Sequence, residues 1–120
     1  MKVVINTCYG GFGLSDQAFE MLMDRRGIEW EKVSNTDGFG SAFDYYEKGH
    51  AKDDNYYLWY RDVTEDRSDE HLVSVVEELG EKANGRFSEL KIVEIPDDVE
   101  WYIAEYDGLE HVAEKHRTWE

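Results

Sequence analysis

The first 26 residues carry a pattern of apolar and polar positions that predicts a strand, a glycine-rich loop and a helix. Residues 3–5 (VVI) are β-branched and continuous, which is typical of a strand buried on both faces. Ser15 is suited to cap a helix whose end is marked by Gly27. The apolar positions of this helix recur at helical spacing: Ala18, Phe19, Leu22 and Met23.

Three further segments have the composition of strands. Residues 28–33 alternate between apolar and charged side chains, residues 55–61 are an aromatic run, and residues 87–95 alternate until Pro96 interrupts the ladder. Residues 34–54 contain three glycines among mixed polar and aromatic residues. This stretch predicts a long irregular loop, and loops of that length are usually functional or mobile.

A second helix is predicted after Ser68, which we expect to be its cap. Its apolar face consists of Leu72, Val75, Val76 and Leu79, and glutamates occupy the opposite face. Gly80 or the Asn84–Gly85 pair would end it.

The last segment is open to two interpretations. Residues 100–106 alternate as a strand, and Asp107-Gly108 is a strong signal for a two-residue hairpin turn. A hairpin, however, would set Glu105 opposite Glu110, and like charges directly opposed are destabilising. A helix beginning at Leu109 would instead align four residues on one face, so we favour the helix. These residues are Leu109, Val112, Ala113 and His116.

These elements predict an α+β protein with a small mixed or antiparallel sheet of about four to five strands and two or three helices. At 120 residues the chain fits one domain, residues 1–120, because two separate cores would each be too small. The composition is 41% hydrophobic and 14% aromatic with a single proline, which indicates a packed core.

The chain is strongly acidic, with 28 acidic and 13 basic residues and a formal charge of −15. This charge disfavours non-specific binding to nucleic acid and to anionic membranes, both of which are polyanionic. A dense carboxylate surface can serve solubility, reflect a high-salt environment, or mimic nucleic acid. Of these three explanations we favour solvation.

The sequence begins without a signal-peptide pattern, and it contains no apolar run approaching a membrane span of ~20 residues. With one cysteine, the chain can form no internal disulfide. We therefore expect a cytoplasmic protein, or one in the host cytoplasm if its source is viral.

The loop over residues 8–15 is the most distinctive candidate site. A strand, a glycine turn and a helix N-terminus can together bind an anion through backbone N–H groups and the helix dipole. The residues 10–13 (GGFG) nevertheless match neither the dinucleotide fingerprint nor the phosphate loop. The alternative is a purely structural turn, packed by Tyr9 and Phe12.

Basic residues are scarce, so the few arginines are examined as candidate ligands for an anionic molecule. Arg61 ends the aromatic run, Arg86 follows Asn84-Gly85, and Arg117 lies near the C-terminus. A pocket that stacks a base on aromatic rings and holds phosphate with a guanidinium group would use these residue types. Any one of these arginines can instead pair with a nearby carboxylate.

Catalytic and metal sites have weaker support. Cys8 could act as a nucleophile with one of four histidines, but a lone cysteine at the end of a buried strand is more often part of the core. His111 and His116 are five residues apart, and no second cysteine or zinc-binding helix motif is present. We expect no catalytic residue, no metal and no cofactor.

The N-terminal residues 2–15 (KVVINTCYGGFGLS) resemble the opening of a family of small bacteriophage and prophage proteins. The resemblance continues in four segments: residues 72–80 (LVSVVEELG), 91–101 (KIVEIPDDVEW), 105–108 (EYDG) and 114–119 (EKHRTW). It does not extend to residues 34–54. The resemblance implies a phage origin, and small phage proteins of this size often counter host immunity.

One such group, the Thoeris anti-defence sponges, sequesters cyclic ADP-ribose-type signals, and this chain looks similar to them in length and in its late arginine. The leading hypothesis is a homo-oligomeric anti-defence protein that binds a small nucleotide signal (a cyclic ADP-ribose-type molecule or a cyclic oligonucleotide) without turning it over. The alternative is an acidic inhibitor that binds a host or defence protein. The candidate ligand-binding residues are Tyr9, Gly10, Gly11, Phe12, Arg61, Asn84, Arg86, Arg117 and Trp119.

Overall fold

The structure, a computed structural model, describes residues 1–34 and 43–114, which form six short strands and three helices. In chain order the elements are β1 (Lys2–Asn6), α1 (Asp16–Arg25), β2 (Trp30–Ser34), β3 (Phe43–Glu47), α2 (Tyr60–Val63), α3 (Glu70–Leu79), β4 (Leu90–Glu94), β5 (Trp101–Tyr106) and β6 (Leu109–Glu114). Short 3-10 turns precede α2, at Asp54–Tyr56, and follow α3, at Gly80–Ala83. The predicted α+β class is confirmed.

The predicted strand, loop and helix at the N-terminus are confirmed. Strand β1 is buried at every position after Lys2. The Ser15 side chain accepts a hydrogen bond from the Ala18 N–H and so caps α1. After the helix ends at Arg25, Gly27 adopts a φ of +74°, a left-handed conformation that terminates helices.

The second predicted helix is α3, but its cap lies one residue beyond the predicted Ser68. Asp69 accepts the hydrogen bond from the Leu72 N–H and pairs with Arg26 of α1. Burial on its own would raise the pKa of Asp69, but the hydrogen bonds from the Leu72 N–H and the Arg26 guanidinium outweigh it and hold that pKa below its usual value. Unlike a serine hydroxyl, the Asp69 carboxylate can cap the helix and also form an ion pair with the arginine.

The hydrophobic core lies between α1, α3 and β1. Its fully buried side chains include Val4, Leu22, Met23, Leu72 and Val75. Burying each leucine contributes about 1.5–3 kcal/mol relative to its exposed state. The apolar stripes that defined both helices in the sequence therefore meet each other and the face of one strand.

Two predictions for the middle of the chain are wrong. Within the segment 34–54, which we expected to be irregular, residues 43–47 form strand β3 and pair with β2, while residues 35–42 lie outside the described residues. The aromatic run 55–61 is a 3-10 turn and the start of α2, not a strand. The Asp53 side chain captures the Asn55 N–H, and this local bond favours a turn over a ladder.

The C-terminal segment is a hairpin and not the favoured helix. Asp107 and Gly108 have φ values of +51° and +88°, as a type I′ turn requires, and β5 pairs with β6 through six residues. The expected opposition of Glu105 and Glu110 does occur. Its cost is relieved because Arg67 forms a double hydrogen bond with Glu110, at 2.8 and 3.0 Å.

The strands form three separate antiparallel pairs, β1–β4, β2–β3 and β5–β6, and not a single sheet of four to five strands. The second edge of β1 explains part of this arrangement. There the Val4 N–H donates to the Arg67 carbonyl, and the Asn6 N–H donates to the Glu110 carboxylate. Because these groups already occupy that edge, β6 approaches β1 without forming a backbone ladder.

Among the helices of the described residues, none is both long enough and apolar enough to cross a membrane.

Candidate functional site

The glycine loop lies where three chain segments meet: residues 8–13, the turn over residues 84–88, and the tip of the β5–β6 hairpin. The Gly13 carbonyl accepts hydrogen bonds from the Gly85 N–H, at 3.0 Å, and from the Ser88 hydroxyl, at 2.6 Å. A Cβ atom on Gly10 would lie 1.9 Å from the Phe87 carbonyl oxygen. Gly10 therefore serves close backbone packing, which is the structural interpretation of the motif.

Asn6 joins these three segments from inside the protein. Its fully buried side chain donates to the carbonyls of Cys8, at 2.5 Å, and Gly108, at 2.7 Å. Its carbonyl oxygen accepts from the N–H groups of Cys8 and Glu89. A buried amide that satisfies all these partners fixes their relative positions, because leaving any of them unpaired costs about 1–3 kcal/mol.

The loop, the 84–88 turn and the region around β3 enclose a cleft of about 570 Å³. Its lining includes five of the nine predicted ligand-binding residues: Gly10, Gly11, Phe12, Asn84 and Arg86. Small-molecule sites commonly have volumes of roughly 300–1,000 Å³. The cleft is therefore large enough for a nucleotide-sized ligand.

Of the other four predicted residues, the two that the structure describes, Tyr9 and Arg61, do not line this cleft. Tyr9 is adjacent to the loop but points to solvent, with 63% of its surface exposed, and Arg61 is exposed on α2. Arg117 and Trp119 lie outside the described residues. Tyr9 and Arg61 are therefore surface residues outside the cleft lining.

Aromatic rings form much of the cleft lining, and they pack against one another. The Phe19 ring lies 5.0 Å from Tyr45 and 5.4 Å from Tyr60, between ring centroids. Phe12 and Phe43 extend this group, at 6.4 Å from Tyr60 and 6.5 Å from Tyr45 respectively. Mutual packing holds these rings in fixed orientations. Phe19 and Tyr45 are buried in the core, so the rings that can contact a planar ligand are the partly buried Phe12, Phe43 and Tyr60.

Hydrogen bonds fix the hydroxyl groups of Tyr45, which is buried, and Tyr60, which is partly buried. The Tyr60 hydroxyl accepts from the Leu14 N–H at 2.7 Å, and Tyr45 donates to Glu20 at 2.7 Å. Burial is the main cause that raises the pKa of both tyrosines well above the usual value, and the Glu20 hydrogen bond adds to it at Tyr45. Both hydroxyl groups are consequently neutral at physiological pH.

Two backbone groups of the loop are already engaged within the protein. The Leu14 N–H bonds to Tyr60, and the Ser15 N–H donates to the Ala83 carbonyl at 2.9 Å. Neither is available for a phosphate, so the predicted anion site at this helix N-terminus loses two of its donors. Phosphate binding in this cleft would depend mainly on side chains.

The charged groups of the cleft have both signs. Asp16 begins α1, Asp44 lies on β3, and Arg86 comes from the 84–88 turn. A guanidinium group suits phosphate, whereas carboxylates accept hydrogen bonds from hydroxyl or amino groups. This mixture suits a ligand that carries both an anionic group and hydrogen-bond donors.

Arg67 is a residue that the sequence analysis missed. Its guanidinium lies 3.5 Å from the centroid of the Phe12 ring, which lines the cleft, and it also pairs with Glu110. It therefore connects the hairpin to the cleft wall. A signal was present in the sequence, because a hairpin that opposes Glu105 to Glu110 needs a cation nearby.

The residues considered for catalysis are dispersed. Cys8 is partly buried and exchanges hydrogen bonds with Asn6, His50 stacks on Tyr56, and His111 is exposed on β6. His116 lies outside the described residues. Within residues 1–34 and 43–114, no group of three or more histidine, cysteine or acidic residues is arranged to hold a metal ion.

Comparison of the chain with protein-family models, with curated proteins and with solved structures found no match in any of the three.

Proposed function

We propose that this chain is a phage-encoded anti-defence protein that binds a small nucleotide signal in the cleft beside the glycine loop and sequesters it without catalysis. The observation that carries the proposal is that aromatic rings, Asn84 and Arg86 come together in one cleft of suitable size. A base can stack on the rings, since every base has a π face, and Arg86 can bind phosphate.

The carboxylates in the cleft sharpen this proposal. Asp16 and Asp44 would repel an isolated phosphate, and a chain of net charge −15 adds to that repulsion. A nucleotide also brings ribose hydroxyl groups and base amino groups, which donate to carboxylates. The polar groups of the cleft therefore suit a whole nucleotide better than inorganic phosphate.

The experiment is titration calorimetry with cyclic ADP-ribose isomers and cyclic oligonucleotides, followed by heating and chromatography of the released ligand. We expect one of these probes to bind and to be recovered intact. Recovery of a degraded probe would indicate an enzyme. Absence of both binding heat and a thermal shift with every probe would refute the proposal.

A matched pair of variants tests whether binding occurs in this cleft. Arg86→Gln removes the cationic side chain that the described residues contribute to the lining, and we expect it to weaken binding at least tenfold, since hydrogen bonds to charged groups contribute about 1.5–3 kcal/mol. Arg61→Gln makes the same change on exposed α2, outside the cleft, and should bind like the wild type. Equal losses in both variants would indicate a non-specific charge effect.

We also propose that the protein acts as a homo-oligomer in the host cytoplasm. Tyr102 and Tyr106 lie on the same face of β5, with 46% and 76% of their surfaces exposed. Aromatic residues are enriched at protein interfaces, and such a face can bind a second copy. Light scattering should show an oligomer that Tyr106→Lys dissociates, whereas a monomeric wild type would refute this part.

The same tyrosines support the second candidate function, an acidic inhibitor that binds a host or defence protein. That function predicts binding to a basic protein surface that weakens steeply with salt. It also predicts that Tyr106→Lys abolishes inhibition. Because Tyr106→Lys is expected to dissociate the oligomer as well, the two candidate functions are separated by the nucleotide titrations of the wild type and by the salt dependence of protein binding.

A further inference from the structure

A second, shallower cleft of about 700 Å³ adjoins the first. The two clefts share five lining residues: Gly10, Asn84, Arg86, Phe87 and Ser88. Five further residues line the second cleft but not the first: Cys8, Gly80, Glu81, Glu89 and Leu90. The protein thus presents two adjacent depressions with a common border.

The common border carries the groups best suited to a nucleotide. Phe87 has 54% of its surface exposed, and the Arg86 guanidinium lies 5.2 Å from the centroid of its ring. The Phe87 backbone is held in place because it lies directly against Gly10. An exposed ring beside a guanidinium offers a stacking surface and a phosphate contact at one point.

We infer that the ligand is a dinucleotide-type molecule whose two nucleoside halves occupy the two clefts, with its phosphate linkage at Arg86. This inference rests on the proposed function and specifies its ligand class. A mononucleotide would leave one cleft vacant, because a single cleft already reaches the size of a typical small-molecule site. Phosphate at the shared border would place one base on each side of it.

The second cleft has polar groups that fit a nucleoside and not a second phosphate. Among the described residues that line it, Glu81 and Glu89 are the charged side chains beyond the shared Arg86. Carboxylates accept hydrogen bonds from ribose hydroxyl groups and base amino groups but repel phosphate. The ligand is therefore expected to carry its charge centrally, between two uncharged ends.

The first test compares the linear dinucleotide ApA with AMP by titration calorimetry of the full chain. ApA has one linking phosphate and no terminal phosphate, so ApA and AMP each carry a single phosphate group. Joining two binding halves typically raises affinity by a factor of about 100 or more. We expect ApA to bind at least tenfold more tightly than AMP, and the corresponding guanine pair, GpG and GMP, tests the same point.

Cys8 provides a second readout, since it is the only cysteine of the chain and lines only the second cleft. Saturating ApA should slow its alkylation by a bulky maleimide, while saturating AMP should slow it less. Alkylation of Cys8 before the titration should weaken the binding of ApA more than the binding of AMP. The Cys8→Ser variant should bind ApA equally well with and without maleimide treatment. This control excludes an effect of the maleimide at other residues.

A variant that fills the second cleft completes the design. Glu81→Trp is expected to reduce the ApA affinity at least tenfold and to change the AMP affinity less than threefold. Glu70→Trp introduces the same ring on a side chain that is 89% exposed and lies outside both clefts, and it should bind both probes like the wild type.

The outcomes separate this inference from the proposed function. Equal binding of ApA and AMP, with Cys8 alkylated at the same rate throughout, overturns the two-cleft ligand but leaves a nucleotide-binding protein. If none of the four probes binds (AMP, GMP, ApA and GpG), the inference that a dinucleotide occupies both clefts is overturned. If the cyclic probes also fail, the proposed function is overturned as well.

Discussion

Replacing Arg67 by leucine should destabilise the protein more than any other single arginine replacement in the described residues. The Arg67 guanidinium forms two hydrogen bonds with Glu110 and lies over the Phe12 ring at 3.5 Å. Both members of the ion pair are largely buried, with side-chain exposures of 18% and 7%. Leucine would fill part of the space but leave the Glu110 carboxylate without its cation.

The expected loss follows from that burial. Removing one partner of a buried ion pair costs about 3–5 kcal/mol, because the remaining charge is left uncompensated. Loss of the ring contact adds about 0.5–2 kcal/mol in other proteins, but the two contributions are not additive here. We therefore expect a loss of about 4 kcal/mol from a total stability of about 5–15 kcal/mol.

The assay is urea unfolding followed by the fluorescence of the four tryptophans. With an m-value of about 2 kcal/mol/M, a loss of about 4 kcal/mol lowers the midpoint by about 2 M. Arg61→Leu, on an exposed arginine, should shift stability by less than about 0.5 kcal/mol. If Arg67→Leu does not fold, Arg67→Lys retains the charge and should show a smaller shift in the same direction.

A double-mutant cycle tests the reasoning directly. Glu110→Gln retains an oxygen that can accept from the Asn6 N–H but removes the carboxylate charge. The double variant Arg67→Leu/Glu110→Gln should lose less stability than the sum of the two single variants, because neither residue is then left as an unpaired charge. Strict additivity, or a midpoint for Arg67→Leu equal to that of Arg61→Leu, would refute the buried-pair argument.

Three further predictions follow from individual contacts. The pKa of Asp69 is lowered in the folded state, so the stability that its carboxylate contributes is present above about pH 4 and is lost as the pH falls through the folded pKa. Asp69→Asn can still cap the helix but loses the pair with Arg26, so acid titrations of its stability should show a weaker dependence on pH. The pKa of Tyr60 is raised in the folded state, so the stability that its neutral hydroxyl contributes is present below about pH 10 and is lost as the pH rises further. Tyr60→Phe should lower the free energy of unfolding by about 1–3 kcal/mol at neutral pH, because the Leu14 N–H loses its acceptor, and alkaline urea titrations should show a smaller further loss than in the wild type. Gly108→Ala should destabilise the hairpin by more than about 1 kcal/mol in thermal unfolding, because its φ is +88° and the new Cβ would lie 2.5 Å from a backbone oxygen.

The parts of the fold that sequence predicted are those determined by local contacts. The Ser15 cap, the apolar stripe of α1 and the stop at Gly27 all act within one or two helical turns. The buried strand β1 was recognisable because three consecutive β-branched residues have few other suitable environments. Each of these signals can be recognised within a few consecutive residues, although the apolar side chains that carry them pack against distant elements.

The predictions that failed depended on contacts between distant residues. Glu110 made a hairpin seem unfavourable, and the arginine that neutralises it stands 43 residues earlier. Tyr57 belongs to a strand-like run, yet it meets Tyr46 only as an isolated bridge and its neighbours turn away. Neither partner can be identified from spacing along the chain.

The candidate site was predicted in its composition but not in its geometry. Phe12 and Arg86 do line one cleft, together with Asn84. Arg61 does not, because the aromatic run that carries it is a turn followed by α2, which leaves Arg61 exposed. The importance of Asn6 had no signal in the sequence, since an asparagine after a strand usually marks only a turn.

The glycine loop therefore has a different role from the one its composition suggested. Gly10 packs against the Phe87 backbone, and the N–H groups of Leu14 and Ser15 bond within the protein. Substituting Gly10 would disturb packing and ligand binding together, so it cannot separate the two roles. Arg86 can separate them, because the hydrogen bonds described for residues 13–15 of the loop come from backbone groups and from the Ser88 and Tyr60 side chains. If Arg86→Gln unfolds like the wild type but binds no nucleotide, the loop is the scaffold and Arg86 provides the phosphate contact.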